Sequence, residues 1–182
     1  MSGDVDSVPV LLHLLEADTG LPSRAHPGDA GLDLHASTGH TLQPGRRATV
    51  GTGVALALPA GYAAYVLPRS GLAAKHGITV LNAPGTVDAG YRGEVKVTLL
   101  NTDPEVSFTI SPGDRIAQMV VQPVHEVAFH QVDRLPGSAR GVGGHGSSGG
   151  YGGTTPTPAA GSTEGEQSLQ REATNDLNRN ED

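Results

Sequence analysis

The stretch Glu94–Leu100, EVKVTLL, decides the fold. Its apolar residues Val95, Val97 and Leu99 recur at every second position, with Glu94, Lys96 and Thr98 between them. A period of two belongs to a half-buried strand, so one trio faces a core and the other faces away. The pattern recurs in EVSFTI (Glu105–Ile110), with Val106, Phe108 and Ile110 expected inward. RIAQMVVQPV (Arg115–Val124) and VHEVAFHQV (Val124–Val132) read as further, less regular strands. Earlier strand candidates are Val10–Leu15, Gly31–Ala36, Arg46–Thr52, Val54–Pro59, Tyr62–Pro68 and Ile78–Asn82. Pro44-Gly45, Pro84-Gly85 and Pro112-Gly113 punctuate them as turns. Only SGLAAKHG (Ser70–Gly77) has helix-forming content. Many short strands between turns give an all-β fold, a sandwich or barrel, and no period of ~20–50 residues signals a solenoid.

Composition narrows the function classes. The 182 residues fit one domain. The chain has no cysteine, which excludes a disulfide framework, a thiolate metal site and a cysteine nucleophile. A net charge of −7 disfavours nonspecific nucleic-acid binding. No apolar run approaches the ~18–20 residues that span a bilayer. The start, MSGDVDSVPV, carries acids where a signal peptide needs bases. The expectation is a soluble cytoplasmic protein with neither nucleic acid nor membrane as partner.

The composition also divides the chain. Residues 137–165 hold 11 of the 26 glycines, and beyond residue 153 six acids face two bases. That last stretch has only Leu169 and Leu177 as large aliphatics, too little to offset the entropy of ordering it. The expected organisation is a flexible N-terminus (1–7), a β body (8–136), a glycine-rich arm (137–153) and a disordered acidic tail (154–182).

Polar residues break the strand grammar in five places. Asp33 stands between Leu32 and Leu34, where a carboxylate is either exposed or partnered. Arg69-Ser70-Gly71 ends a strand and opens a short helix; free N–H groups beside a hydroxyl and a guanidinium suit phosphate oxygens, and an ordinary serine N-cap is the plainer reading. The segment Asn82–Glu94, NAPGTVDAGYRGE, is dense in turn residues and reads as a long β-hairpin whose backbone could read the edge of a base. Within it Asn82 offers donor and acceptor, Asp88 is a candidate general base, and Tyr91 could pack against a sugar. In PGDRIAQ (Pro112–Gln118), Asp114 and Arg115 suggest a local ion pair, with Gln118 on either face. Finally ARGVGGHGSSGG (Ala139–Gly150) is either a linker or an arm ordered by a ligand, with Arg140 reaching a phosphate chain. No helix pattern or βαβ unit follows its glycines, which excludes a dinucleotide fingerprint.

Together AGLDLHA, PRSGLAAKHG, GTVDAGYRGE, GDRIAQ and RGVGGHGSSGG resemble, in order, the five motifs of the homotrimeric deoxyuridine triphosphate nucleotidohydrolases (dUTPases), over about residues 29–150. The resemblance implies a jelly-roll-like β domain assembled as a homotrimer, with active sites at subunit interfaces and a C-terminal arm closing over them. The implied reaction is Mg²⁺-assisted hydrolysis of dUTP to dUMP and pyrophosphate, which keeps uracil out of DNA and supplies dUMP for thymidylate synthesis. By the same resemblance Asp88 activates the water that attacks the α-phosphorus. Asn82 and the backbone at Gly85, Thr86 and Val87 read uracil, and Tyr91 packs under the deoxyribose. Arg69, Ser70, Gly71 and Gln118 grip phosphate, Lys96 touches the substrate, and Asp33 holds Mg²⁺ through its water shell. Arg140 acts catalytically on the phosphates, and Gly146, Ser147 and Ser148 complete the arm's contacts.

One departure has a consequence. The family's arm carries Phe, which stacks on uracil, where this chain has His145. Imidazole offers less area and takes up a proton near pH ~6.5. The KM for dUTP is therefore expected to depend on pH more strongly in the wild-type chain than in His145→Phe across about pH 5.5–8; parallel profiles would contradict this. The acidic tail after Tyr151 has no counterpart in the resemblance. Competing readings are a deoxycytidine triphosphate deaminase on the same fold, which would want a glutamate base by the cytosine ring, a nucleotide-sensing trimeric scaffold, and a generic jelly-roll ligand binder.

Overall fold

The computed structural model describes residues 7–16, 19–139 and 141–142. Ten strands and one helix follow in chain order. They are β1 (Leu11–Leu14), β2 (Leu32–His35), β3 (His40–Leu42), β4 (Arg47–Ala57), β5 (Tyr62–Leu67) and α1 (Ser70–His76). Then come β6 (Ile78–Val80), β7 (Gly85–Asp88), β8 (Glu94–Asn101), β9 (Phe108–Ile110) and β10 (Arg115–Pro123). One four-stranded sheet has the order β1-β4-β8-β6, a second has β2-β10-β5-β7, and β3 pairs with β9. This is the expected all-β, jelly-roll-like body. No helix among the described residues is long and apolar enough to cross a membrane. The described residues fall in two units, one ending at Phe129 and the other beginning at His130. All the strands lie in the first. In the second, the described residues contain no strand or helix, and the Gly141 N–H donates to the carbonyl and hydroxyl of Ser138, each at 3.1 Å.

The period-two reading of β8 holds. Val95, Val97 and Leu99 are buried among Val50, Val54 and Leu56 of β4, Val66 of β5 and Ile116 of β10. The same alternation carries one polar residue inward: Asn101 is fully buried. Its amide nitrogen donates to the carbonyls of Leu42 (3.1 Å) and Val106 (2.8 Å), and its oxygen accepts the Asp103 N–H (3.0 Å). Its loss would open a hole in the core and leave the buried Leu42 carbonyl without this partner, so Asn101→Ala should destabilise the fold by about 2–4 kcal/mol. Urea unfolding checks this; a loss below about 1 kcal/mol would show that the site relaxes or admits water.

Three strand readings are corrected by particular contacts. Only Phe108–Ile110 of the segment 105–110 forms a strand, and Val106 is exposed. The cause is Asp103, whose carboxylate accepts the N–H groups of Glu105 (2.8 Å) and Val106 (2.7 Å) and so bends the chain there. Those bonds hold the Asp103 carboxyl below its ordinary value. The stability it lends is present above the ordinary carboxylate range and fades as the pH falls through the lowered value. Second, residues 46–52 and 54–59 do not form separate strands. They are largely one, β4, carrying an irregularity between Gly51 and Ala55 where Gly53 takes φ +66°. Third, Val124–Val132 is not a strand. β10 lies between β2 and β5, and its ladder ends where Pro123 meets Tyr62, the first residue of β5. Beyond it Val127 and Phe129 are exposed.

Candidate functional site

The segment expected as one long hairpin has a different construction. Its flanking strands β6 and β8 do pair antiparallel, from Ile78 opposite Asn101 to Val80 opposite Leu99. The connection between them, however, crosses to the other sheet and adds β7 beside β5. Because β7 is the last strand of its sheet among the described residues, one edge of its backbone carries N–H and C=O groups that no described strand pairs. Alternation along β7 buries Gly85 and Val87 and exposes Thr86 and Asp88. Val87 therefore offers a ligand its backbone, while its side chain joins the core.

The turn from β7 to β8 is pinned at several points. The Tyr91 N–H donates to the Asp88 carbonyl (3.0 Å), and the Tyr91 hydroxyl donates to the Glu94 carbonyl (3.0 Å). Gly93 lies against the Tyr91 ring, so a Cβ there would collide with it. Arg92 donates to the carbonyls of Ala89 (2.6 Å) and Tyr91 (2.7 Å). The result is a cleft of about 190 Å³ lined by Asn82, Gly85, Thr86, Val87, Asp88, Tyr91 and Lys96, together with Glu94 and three valines. Seven sequence-chosen residues meet there. Asn82 lies close over Gly85, where a Cβ would stand 3.2 Å from its amide nitrogen. Among the described residues the Asp88 carboxylate has no hydrogen-bond or ionic partner.

A second cleft, of about 350 Å³, gathers Asp33, Arg69, Ser70, Gly71 and Gln118. Strand register explains the meeting: Gln118 of β10 stands opposite Asp33 of β2 on one side and Leu67 of β5 on the other, two residues before Arg69. Asp33 is partnered. One carboxylate oxygen accepts Arg69 Nε at 2.9 Å and the other accepts a terminal nitrogen of Arg115 at 3.1 Å. Arg69 also donates to the Arg115 carbonyl at 3.2 Å. One acid thus orients two guanidiniums beside the cleft, which Asp29 also lines. Arg115 pairs here and not with its neighbour Asp114, which instead accepts the Ser111 N–H at 2.7 Å. Gln118 donates to the Pro68 carbonyl at 2.9 Å, and a Cβ on Gly31 would strike its amide. Ser70 is not an N-cap: Arg69 holds that position without a side-chain cap bond, and Ser70 is the first helical residue.

Among the described residues no group of three or more His, Asp or Glu could hold a metal ion. Both oxygens of Asp33 accept guanidinium N–H groups, so Asp33 fits a magnesium ion only through that ion's water shell and not as a direct ligand. Arg140, His145, Gly146, Ser147 and Ser148 lie outside the described residues. Sequence reasoning does not single out Glu94, Gly93 or Gly31, and it reads Arg115 only as a partner for Asp114. Only the glycines in AGLDL and YRGE, placed beside a long polar side chain, hinted at a close approach.

The two clefts are separate. Asp33 and Asp88 lie three strands apart in one sheet with a four-residue offset, about 20 Å at ~4.8 Å between strands and ~3.3 Å per residue.

Comparison with known proteins identifies the family. The dUTPase family matches residues 17–149. A deoxyuridine 5'-triphosphate nucleotidohydrolase of Thermobifida fusca is 61% identical over 145 residues, covering 80% of this chain and 81% of that protein. One from Leifsonia xyli is 64% identical over 129 residues, covering 71% of this chain and 85% of that protein. Among solved structures, a Staphylococcus bacteriophage 80alpha dUTPase variant with dUpNHpp superposes with a TM-score of 0.71 at 29% identity, covering 78% of this chain and 98% of that chain. A dUTPase variant of phage phi11 of S. aureus, described with a coordinated structural Mg(II) ion, gives 0.65 at 25% identity, covering 70% and 98%. The chain belongs to the dUTPase family.

Proposed function

We propose that the protein hydrolyses dUTP to dUMP and pyrophosphate, with Asp88 as general base. The observation that carries the proposal is the composition of the β7 cleft: Asn82, the backbone edge of β7, Tyr91 and an exposed carboxylate, the edge and the carboxylate both unpaired among the described residues. Asn82 and the β7 edge present donors and acceptors to the polar edge of uracil. Asn82 packs closely on Gly85, and a base read this tightly would have no room for the 5-methyl group of thymine, as the resemblance implies. Tyr91, held by its hydroxyl, lies under deoxyribose and crowds a 2′-hydroxyl. Asp88 takes a proton from water as the water oxygen bonds to the α-phosphorus. The bond from that phosphorus to the bridging oxygen breaks, and pyrophosphate leaves.

The phosphates need positive charge, and the Arg69 guanidinium brings it to the Asp33–Arg69 cleft. At about 20 Å from Asp88 along the sheet, that cleft cannot receive the phosphates of a nucleotide whose α-phosphorus sits at Asp88 of the same chain. The grip on them therefore comes from another copy, which supports a homotrimer with shared sites. Arg69 supplies charge and direction, Ser70 and Gly71 their amides, and Gln118 its carboxamide. Lys96 touches the nucleotide from the base cleft. The arm, residues 137–153, closes the site, with Arg140, Gly146, Ser147 and Ser148 on phosphate and His145 on the base.

Magnesium enters as part of the substrate, carried on the triphosphate, where it neutralises charge. No protein step is assigned to it; Asp33 orients the two arginines and would hold the ion only through its water shell. In the cell the reaction keeps uracil from DNA and delivers dUMP for thymidylate synthesis.

A nucleotide panel with Mg²⁺ tests this reading. Pyrophosphate should form from dUTP and not from dTTP, UTP or dCTP. Ammonia released from dCTP would establish the deaminase instead, and no pyrophosphate from dUTP would leave only a binding protein.

A further inference from the structure

Glu94 lines the nucleoside cleft with a carboxylate only 21% exposed. A carboxylate so placed needs partners. One oxygen accepts the Gly53 N–H at 2.9 Å, and the other lies 3.5 Å from the Lys96 ammonium. Its backbone carbonyl meanwhile accepts the Tyr91 hydroxyl.

Gly53 belongs to the irregular part of β4, where the register jumps from Gly51 opposite Lys96 to Ala55 opposite Glu94. Thr52 stitches that bulge to β8 through its hydroxyl, which donates to the Val95 carbonyl at 2.6 Å. Gly51 leaves open the space the Glu94 carboxylate occupies, since a Cβ there would run into it. A bulge of this kind re-aims the side chains beside it.

A lysine–glutamate pair with a half-exposed lysine ordinarily does little, because both side chains must be ordered to form it. Here the glutamate is already fixed, by an amide on one side and by a glycine that makes room for it on the other. Only the lysine remains to be ordered.

We infer that Glu94 is a positioning residue, which uses the β4 bulge as an anchor to hold the Lys96 ammonium at the rim of the cleft for the incoming nucleotide. The inference rests on the reading of Lys96 as a nucleotide contact. Glu94 touches no reacting atom, so its effect falls on binding.

The test is a double-mutant cycle on the full-length enzyme with dUTP, alongside thermal unfolding. Glu94→Gln keeps the acceptor for Gly53 and removes the charge; it should raise KM about 3–10-fold and move kcat by less than about twofold. Gly51→Ala, which displaces the carboxylate without altering it, should raise KM in the same direction. In a Lys96→Met background Glu94→Gln should add no further rise.

An unchanged KM in Glu94→Gln overturns the inference, as does a full rise that persists without Lys96. A rise accompanied by equal falls in kcat and melting temperature would mean a merely structural role, and also overturns it. If Lys96→Met alone leaves KM unchanged, it is the reading of Lys96 that fails. If that variant raises KM while Glu94→Gln does not, only the positioning role fails.

Discussion

Asp88→Asn should lower kcat for dUTP by about 10²–10⁴-fold, the usual worth of a positioned general base, while the KM moves far less. The substitution keeps side-chain shape and leaves the backbone bonds of β7 untouched. Those include the register with Ala63 and the Asp88 carbonyl that accepts the Tyr91 N–H. What it removes is the capacity to take a proton. The carboxylate is exposed and, among the described residues, unpaired, so no structural partner is lost and the melting temperature should hold. Pyrophosphate release and calorimetric binding of a non-hydrolysable dUTP analogue measure the two parts. A kcat within about tenfold of wild type would remove Asp88 from the base role.

A second large effect follows from the distance between the clefts. Arg69→Ala takes one of two guanidiniums from Asp33 and should disable the phosphate grip, as Asp88→Asn disables the base. Each variant alone should be nearly inactive. If every site draws Asp88 from one copy and Arg69 from another, unfolding the two variants together and refolding them should regenerate activity. With random assembly about a quarter of the sites receive both intact residues. A chain that builds its whole site alone predicts no recovery. The experiment therefore reads assembly through chemistry, and size measurement on the same samples supplies the copy number.

How much of this was legible in the sequence differs by element. β8 was transparent because a strand with one buried face writes its period directly into residue type. Asp33, Arg69 and Gln118 stand out in the sequence as separate oddities; that they share one cleft depends on the register of β2, β10 and β5, which sequence does not encode locally. The same holds for β7. Its four residues sit among turn formers, and nothing nearby says that they join a sheet other than the one containing β6 and β8. Phe129 and Val127 illustrate the opposite error. They look like strand residues, but no strand of the described chain lies beside them. Glu94 was passed over because a glutamate at an outward position of an alternating strand is ordinarily a solvated one. Only the bulge of β4 brings the Gly53 amide to it.

The most direct test of the chemistry is turnover of dUTP in water enriched in oxygen-18, followed by mass analysis of both products. Attack at the α-phosphorus, beside Asp88, places the heavy oxygen in dUMP and leaves the released pyrophosphate unlabelled. Label in the pyrophosphate would mean attack at the β-phosphorus, where the Asp88 cleft does not direct the water, and would contradict the account.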